Sequence, residues 1–310
     1  MVCASRCPRL CSIWCSEIRC SVSVIENSLE RLRRPALAAR GPGVAAGVVP
    51  TAARVEPICA LEPRVVHGRV AIDLNRLRAE GYLPEQGEEW RFANYCHRIK
   101  RPLVDRALSA GAPQDARLTL LTSALPGDGK TFMTINLALS MARERDVSVL
   151  LVDGDLPRAR ISHVLGMHGE PGLLHALRDD ALDIESLVRD SDIPGLEILP
   201  AGAPAEGATE LIASARMREI ASRLICPNPR RLVLFDSPPL LVSSEARALV
   251  QIIGQIILVV RAGHTPRQAI TDAVAQVEKK KLVGLVLNDA YGATEDGYYY
   301  DYGSLAGGSR

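Results

Sequence analysis

Between Leu118 and Asn288 the chain repeats one pattern. A short, continuously apolar run is followed by a longer segment whose apolar residues recur at three- and four-residue steps. The runs cover 118–122, 148–152, 196–199, 231–235, 255–260 and 283–287, and the periodic segments include 131–145, 206–224, 243–253 and 266–280. Runs of this length without alternation read as parallel strands covered on both faces; the periodic segments read as helices. The order predicts an α/β domain, doubly wound about a mostly parallel sheet with helices on both faces. Ligands of such sheets bind beyond the carboxyl ends of the strands, so chemistry is expected just after each run.

The pattern changes on either side. In residues 88–106, Trp90, Phe92, Tyr95, Ile99, Leu103 and Val104 are interleaved with Arg91, Arg98, Lys100 and Arg101. This spacing predicts an amphipathic helix that Pro102 kinks or ends. Such a helix either packs on the main domain or reaches out to a neighbouring subunit. Residues 61–115 are therefore read as an N-terminal helical arm and residues 116–290 as the central domain. Residues 1–60 have no period and are expected to be a disordered leader or an extension outside the working protein. Residues 291–310, rich in Gly, Asp, Ser and Tyr, cannot bury a core and are expected to form a flexible tail.

Composition narrows the function. Apolar residues make up 47% and charged residues 24% of 310, which excludes a disordered chain, a collagen and a coiled-coil rod. The 37 basic residues nearly cancel the 36 acidic ones, so no nucleic-acid partner is expected from charge. The longest apolar stretch contains Gly254 and Gln255, and it is far shorter than the roughly 20 residues that cross a bilayer. Arg6, Arg9, Glu17 and Arg19 interrupt every candidate core of a secretory signal. Five of the eight cysteines fall in the first twenty residues, with no His or paired Cys-x-x-Cys to suggest a metal site. Cys59, Cys96 and Cys226 are too scattered for a disulfide framework and suggest a reducing cytosol. Lys279, Lys280 and Lys281 read as a solvated helix end. Five of the seven tyrosines fall in the last twenty residues. Tyrosine is normally half buried, so this cluster needs an explanation other than packing.

Three motifs carry the chemistry. The first run leads into SALPGDGKT at 123–131, close to the GxxxxGK[ST] phosphate loop except that Ala124 replaces its first glycine. Gly127 and Gly129 allow a sharp turn that points N–H groups inward, and the following helix adds its positive end. Lys130 would reach the β- and γ-phosphates and Thr131 would bind Mg²⁺; Asp128 and Phe132 complete the candidate nucleotide-binding set. The second run ends in VLLVDGD at 149–155. Asp153 and Asp155 emerge there, able to coordinate metal or accept a hydroxyl proton, although such a sequence also serves as turn chemistry. LVLFDSPP at 232–239 places Asp236 after four apolar residues, the Walker B arrangement, as a Mg²⁺ ligand directly or through water. The candidate metal set is Thr131, Asp153 and Asp236. The last run ends at Asn288, which either bonds an adenine edge or begins a turn.

These motifs, in this order and followed by a tyrosine cluster, resemble the bacterial tyrosine kinases (BY-kinases), P-loop enzymes of capsule and exopolysaccharide synthesis. IKRPL at 99–103, ATELIAS at 208–214 and LVGLVLN at 282–288 are similar to the exosortase-associated tyrosine autokinase branch. The resemblance covers about residues 88–302. It implies a P-loop fold, ATP and Mg²⁺, and catalytic roles for Lys130, Asp153 and Asp155, with Asp155 as the candidate for tyrosine activation. It implies phosphorylation in trans of Tyr298, Tyr299, Tyr300 and Tyr302 within a ring-type homo-oligomer. It also implies a transmembrane activator of chain-length-determinant type, a cognate tyrosine phosphatase, and a cytoplasmic location at the inner membrane through that partner. From Asn288 to Tyr300 the chain can extend about 40 Å at roughly 3.3–3.6 Å per residue, enough to reach an adjacent subunit. The family's Glu-x-x-Arg-x-x-Arg ring helix is incomplete here: Glu88 and Arg91 are followed by Asn94, and Arg98 and Arg101 are preceded by Tyr95. The partition and division-site ATPases share the sheet, but they carry a lysine where this chain has Leu125. Two rival readings are an ATPase switch that controls assembly without phosphotransfer, and nucleic-acid binding through the tyrosines; the second lacks a basic groove.

Overall fold

The structure, a computed structural model, describes residues 68–203, 207–278 and 281–290. The expected leader and the tyrosines of the tail lie outside these residues. Two helices come first, α1 (Leu74–Ala79) and α2 (Glu89–Leu108). Then follow β1 (Leu118–Ser123), α3 (Lys130–Met141), β2 (Ser148–Asp153), α4 (Arg160–Val164), α5 (Leu173–Arg178), β3 (Arg189–Asp190) and β4 (Leu196–Leu199). The remainder is α6 (Ala208–Ile212), α7 (Ala215–Leu224), β5 (Arg231–Asp236), α8 (Ser244–Ile252), β6 (Gln255–Arg261), α9 (Arg267–Ala275) and β7 (Leu282–Asn288).

The seven strands form one sheet in the order β3-β4-β2-β5-β1-β6-β7. Every pairing is parallel except that of the two-residue β3 with β4. The apolar runs are unbroken because successive side chains enter two separate cores. Leu120, Leu150, Val152, Val233 and Phe235 pack on one face. Leu121, Val149, Leu151, Leu232 and Leu234 pack on the other, with α3 and part of α2. The two edge strands depart from full cover: both residues of β3 are partly exposed, and Leu285 and Leu287 of β7 are exposed. Since β2, β5 and β1 are neighbours, the three motif-bearing turns leave the same sheet edge side by side.

Several helical limits differ from expectation. The segment 206–224 is two helices, because the Ser214 hydroxyl accepts the Met217 N–H and starts α7 afresh. Helix α3 stops at Met141 rather than 145, and α9 at Ala275 rather than 280. Helix α2 runs past Pro102 to Leu108. It packs on its own domain: Leu103 and Cys96 are buried, and the ammonium of Lys100 donates to the Ser140 carbonyl and pairs with Glu144 at 2.7 Å. Trp90 and Arg91 stay exposed on its outer side. Lys281 is not a solvated helix end. It is buried, and its ammonium donates to the carbonyls of Val250 and Gln251, completing the last turn of α8.

Candidate active site

The phosphate loop joins β1 to α3. Gly127 and Gly129 hold φ of 88° and 91°, the left-handed region that glycine enters freely. A side chain at Gly129 is excluded twice, since its Cβ would also lie 2.0 Å from the amide nitrogen of Asn288. Lys130 and Thr131 open α3 directly behind the loop. Lys130 is buried, which lowers the pKa of its ammonium; the nearby charges of Asp236, Asp155 and Asp128 oppose that shift.

Beneath the loop lie two carboxylates on adjacent strands. Asp153 of β2 and Asp236 of β5 are register partners, and neither is solvent-exposed. Asp236 Oδ2 accepts the Thr131 hydroxyl at 2.7 Å. The Thr134 hydroxyl lies 3.0 Å from Asp236 Oδ1 and 2.9 Å from the Lys130 carbonyl. One hydroxyl proton cannot serve both acceptors, so a protonated Asp236 fits this arrangement. Burial pushes the Asp236 carboxyl up to about 7, and Asp153 adds to the rise. Asp153 Oδ2 accepts both the N–H and the O–H of Ser162, at 2.8 and 2.7 Å. Its Oδ1 is buried with no hydrogen-bond partner among the described residues, and burial pushes this carboxyl up to about 6.

Two residues on, Asp155 is also buried. Its pKa is raised by burial, against the opposing charges of Lys130 and Arg158. The residue between the two aspartates must be small: a Cβ on Gly154 would stand 2.7 Å from the Asp236 carbonyl, which accepts the Gly154 N–H at 2.9 Å. The sheet edge thus gathers Lys130, Thr131, Asp153, Asp155 and Asp236 in one place. Asn288 reaches the loop from β7, its amide donating to the Asp128 carbonyl at 3.1 Å. The side chain of Asp128 turns to Thr265 and to the Leu125 N–H. The Phe132 ring packs edge-on against Phe92 of α2, centroids 5.2 Å apart.

The kinase domain of VpsO, solved as a crystal structure, is 30% identical with a TM-score of 0.55; the match takes in 66% of this chain and 100% of that domain. The chain belongs to the bacterial tyrosine-kinase family. Another BY-kinase relative, EpsB of Ralstonia nicotianae, a putative tyrosine-protein kinase, is 32% identical over 203 residues, 64% of this chain and 26% of that protein. The chain thus spans about a quarter of that curated relative. The tyrosine-protein kinase YwqD of Bacillus subtilis is 28% identical over 194 residues, 61% of this chain and 80% of YwqD. The ETK kinase domain of Escherichia coli shares the fold, with a TM-score of 0.58 at 21% identity over 76% of this chain and 95% of that domain. No family model matches the chain.

Sequence reasoning missed the residues that hold the carboxylates of this BY-kinase. Thr134 lies three positions after Thr131, the same face of a helix, so its place beside Asp236 was available from spacing. Ser162 reaches Asp153 from α4, and no local signal announces it. Arg158 in the turn after β2 and Arg160 at the start of α4 bring positive charge to Asp155.

Proposed function

We propose that this BY-kinase is an ATP-dependent protein-tyrosine autokinase whose acceptors are Tyr298, Tyr299, Tyr300 and Tyr302, phosphorylated in trans. The observation that carries the reading is the pair of buried carboxylates, Asp153 and Asp236, set side by side under a phosphate loop with Lys130 and Asp155 next to them. Like charges in a dry site are expensive unless a cation joins them. Mg²⁺ fits that need: Asp153 has an unpartnered oxygen, and both carboxyls are pushed up by burial first and further by the neighbouring aspartates. Among the described residues no three His, Cys, Asp or Glu side chains could hold a metal ion alone. Thr131, Asp153 and Asp236 would therefore hold Mg²⁺ with help from water and phosphate oxygens, as this cation prefers. When bound, it would offset the charge of the transferring phosphoryl group.

The chain's own groups do the rest. The N–H groups of the Gly127–Gly129 loop cradle phosphates, and Lys130 meets the charge that develops on them. Asp155 orients the acceptor hydroxyl and takes its proton. A phenol with a pKa near ~10 needs such help at neutral pH. The rise in the Asp155 pKa makes it a stronger base than an exposed aspartate, and Lys130 keeps it ionised. Each phosphate adds roughly −1.5 to −2 charges, so a modified tail is repelled by this acidic edge and leaves. By this reading the chain acts on exopolysaccharide synthesis as a homo-oligomer, at the cytoplasmic face of the inner membrane through a transmembrane activator, with a phosphatase resetting it. Among the described residues no helix is long and apolar enough to cross a membrane.

The test is phosphosite mapping by mass spectrometry after incubation with ATP and Mg²⁺, with and without the activator's cytosolic segment. Phosphate is expected on the four tail tyrosines, and Lys130→Met is expected to lower its rate about 100- to 1000-fold. Unmodified tyrosines in the presence of the activator would overturn the kinase reading in favour of an ATPase switch.

A further inference from the structure

A second network leaves the phosphate loop, and the reaction above does not use it. Asp128, in the middle of the loop, is 3% exposed. Its Oδ1 accepts the Thr265 hydroxyl at 2.7 Å and its Oδ2 accepts the Leu125 N–H at 3.2 Å. Thr265 lies in the turn after β6. Its oxygen accepts the Arg261 N–H at 2.9 Å, which aims the hydroxyl proton at Asp128. The Arg261 side chain in turn pairs with Asp289, Nε to Oδ2 at 2.8 Å. Asp289 directly follows β7 and holds a left-handed φ of 58°, a conformation aspartate enters more readily than most non-glycine residues. The neighbouring Asn288 closes the circuit: its carbonyl accepts the Ala262 N–H at 2.8 Å and its amide donates to the Asp128 carbonyl. Three segments distant in sequence, 128–129, 261–265 and 288–289, are thus joined by hydrogen bonds and an ion pair.

The geometry points to a clamp in which the turn Arg261–Thr265 couples occupancy of the phosphate loop to the position of the chain at Asp289, where the tyrosine-bearing segment begins. The clamp rests on the kinase reading for its purpose, because that segment is the acceptor, but its physics does not depend on phosphotransfer. Thr265 is a positioning residue: it fixes the carboxylate at the centre of the loop and so the direction in which the loop N–H groups point. With the pin removed, the loop must be reordered each time nucleotide binds, which weakens binding. Coupling of this kind is reciprocal. If the Arg261–Asp289 contact helps the loop to hold nucleotide, nucleotide must tighten that contact by the same factor. The loaded enzyme would then present its tail root in one fixed direction and loosen it after product leaves.

The experiment uses the full chain and MgADP, following affinity by calorimetry and amide hydrogen exchange over residues 282–290. In the parent protein MgADP is expected to slow exchange there by at least about fivefold, the lower end of common coupling strengths. Thr265→Val is expected to weaken MgADP by a similar factor and to abolish the nucleotide-dependent protection, and Thr265→Ser to restore both. Asp289→Ala, which touches neither loop nor phosphate, is expected to weaken MgADP as well. Parent-like MgADP affinity in either Thr265→Val or Asp289→Ala, or exchange that MgADP leaves unchanged in the parent protein, would overturn the clamp. A parent chain that does not bind MgADP removes the clamp and the kinase reading together. Intact coupling in a chain that never forms phosphotyrosine removes the kinase reading and leaves the clamp standing.

Discussion

Strand β5 buries a charge at each end, and the two ends are solved in opposite ways. At its start Arg231 is 2% exposed and sits between two glutamates, 2.7 Å from Glu185 and 2.9 Å from Glu197. At its finish Asp236 is fully buried with another carboxylate, Asp153, as its register partner. The first end gives its buried cation two carboxylate partners and ties β5 to β4 and to the turn before β3. The second is left with excess negative charge that hydroxyl groups and one lysine only partly relieve. A carboxylate whose pKa is raised by burial and further by a like-charged neighbour marks a place for chemistry; a buried cation with its carboxylate partners marks a place for architecture.

That contrast can be broken by experiment. Arg231→Ala removes the buried cation from between two partly buried glutamates, and it should cost about 3–5 kcal/mol of unfolding free energy in urea titration, while the folded fraction keeps its phosphotransfer rate. Asp236→Asn should do the reverse. Activity should fall about 100- to 1000-fold, while the nucleotide-free chain melts at a higher temperature at pH 8 because a strained negative charge is gone. Equal destabilisation by the two substitutions would erase the distinction between the ends.

The pH dependence has a definite sign. Asp153 and Asp236 have folded pKa values of about 6 and about 7, above the usual carboxylate value of 3.8. Between those limits the folded state binds more protons than the unfolded one, so stability is greatest at low pH in this window and falls as pH rises through 6 and 7. Melting curves of the nucleotide-free chain from pH 5 to pH 8 should show this decline, and Asp236→Asn should flatten it. A rise in melting temperature over the same interval would contradict the charge excess. Smallest is Thr134→Val, which removes one hydroxyl at Asp236; a loss of about 1 kcal/mol is expected by thermal unfolding.

The sheet and its functional edge were largely legible in the sequence, because a strand covered on both faces must be apolar throughout and a polar residue at its end stands out. The break at Ser214 was harder, since serine inside a periodic segment can sit in a helix or start one. The two-residue β3 and the short α4 and α5 bury few residues each and leave no period to read. Thr134 was within reach through helical spacing. Ser162, Thr265 and the Arg261–Asp289 pair were not, because they meet their partners through folding alone, at separations that carry no pattern.

Gly154 shows how little material sets the spacing of the site. Its N–H and the Asp236 carbonyl bring the ends of β2 and β5 into direct contact. One methyl group there would act as a wedge, and every acidic oxygen along that rim would shift with it. The distance between the acids is thus governed by a vacancy no larger than a single carbon atom.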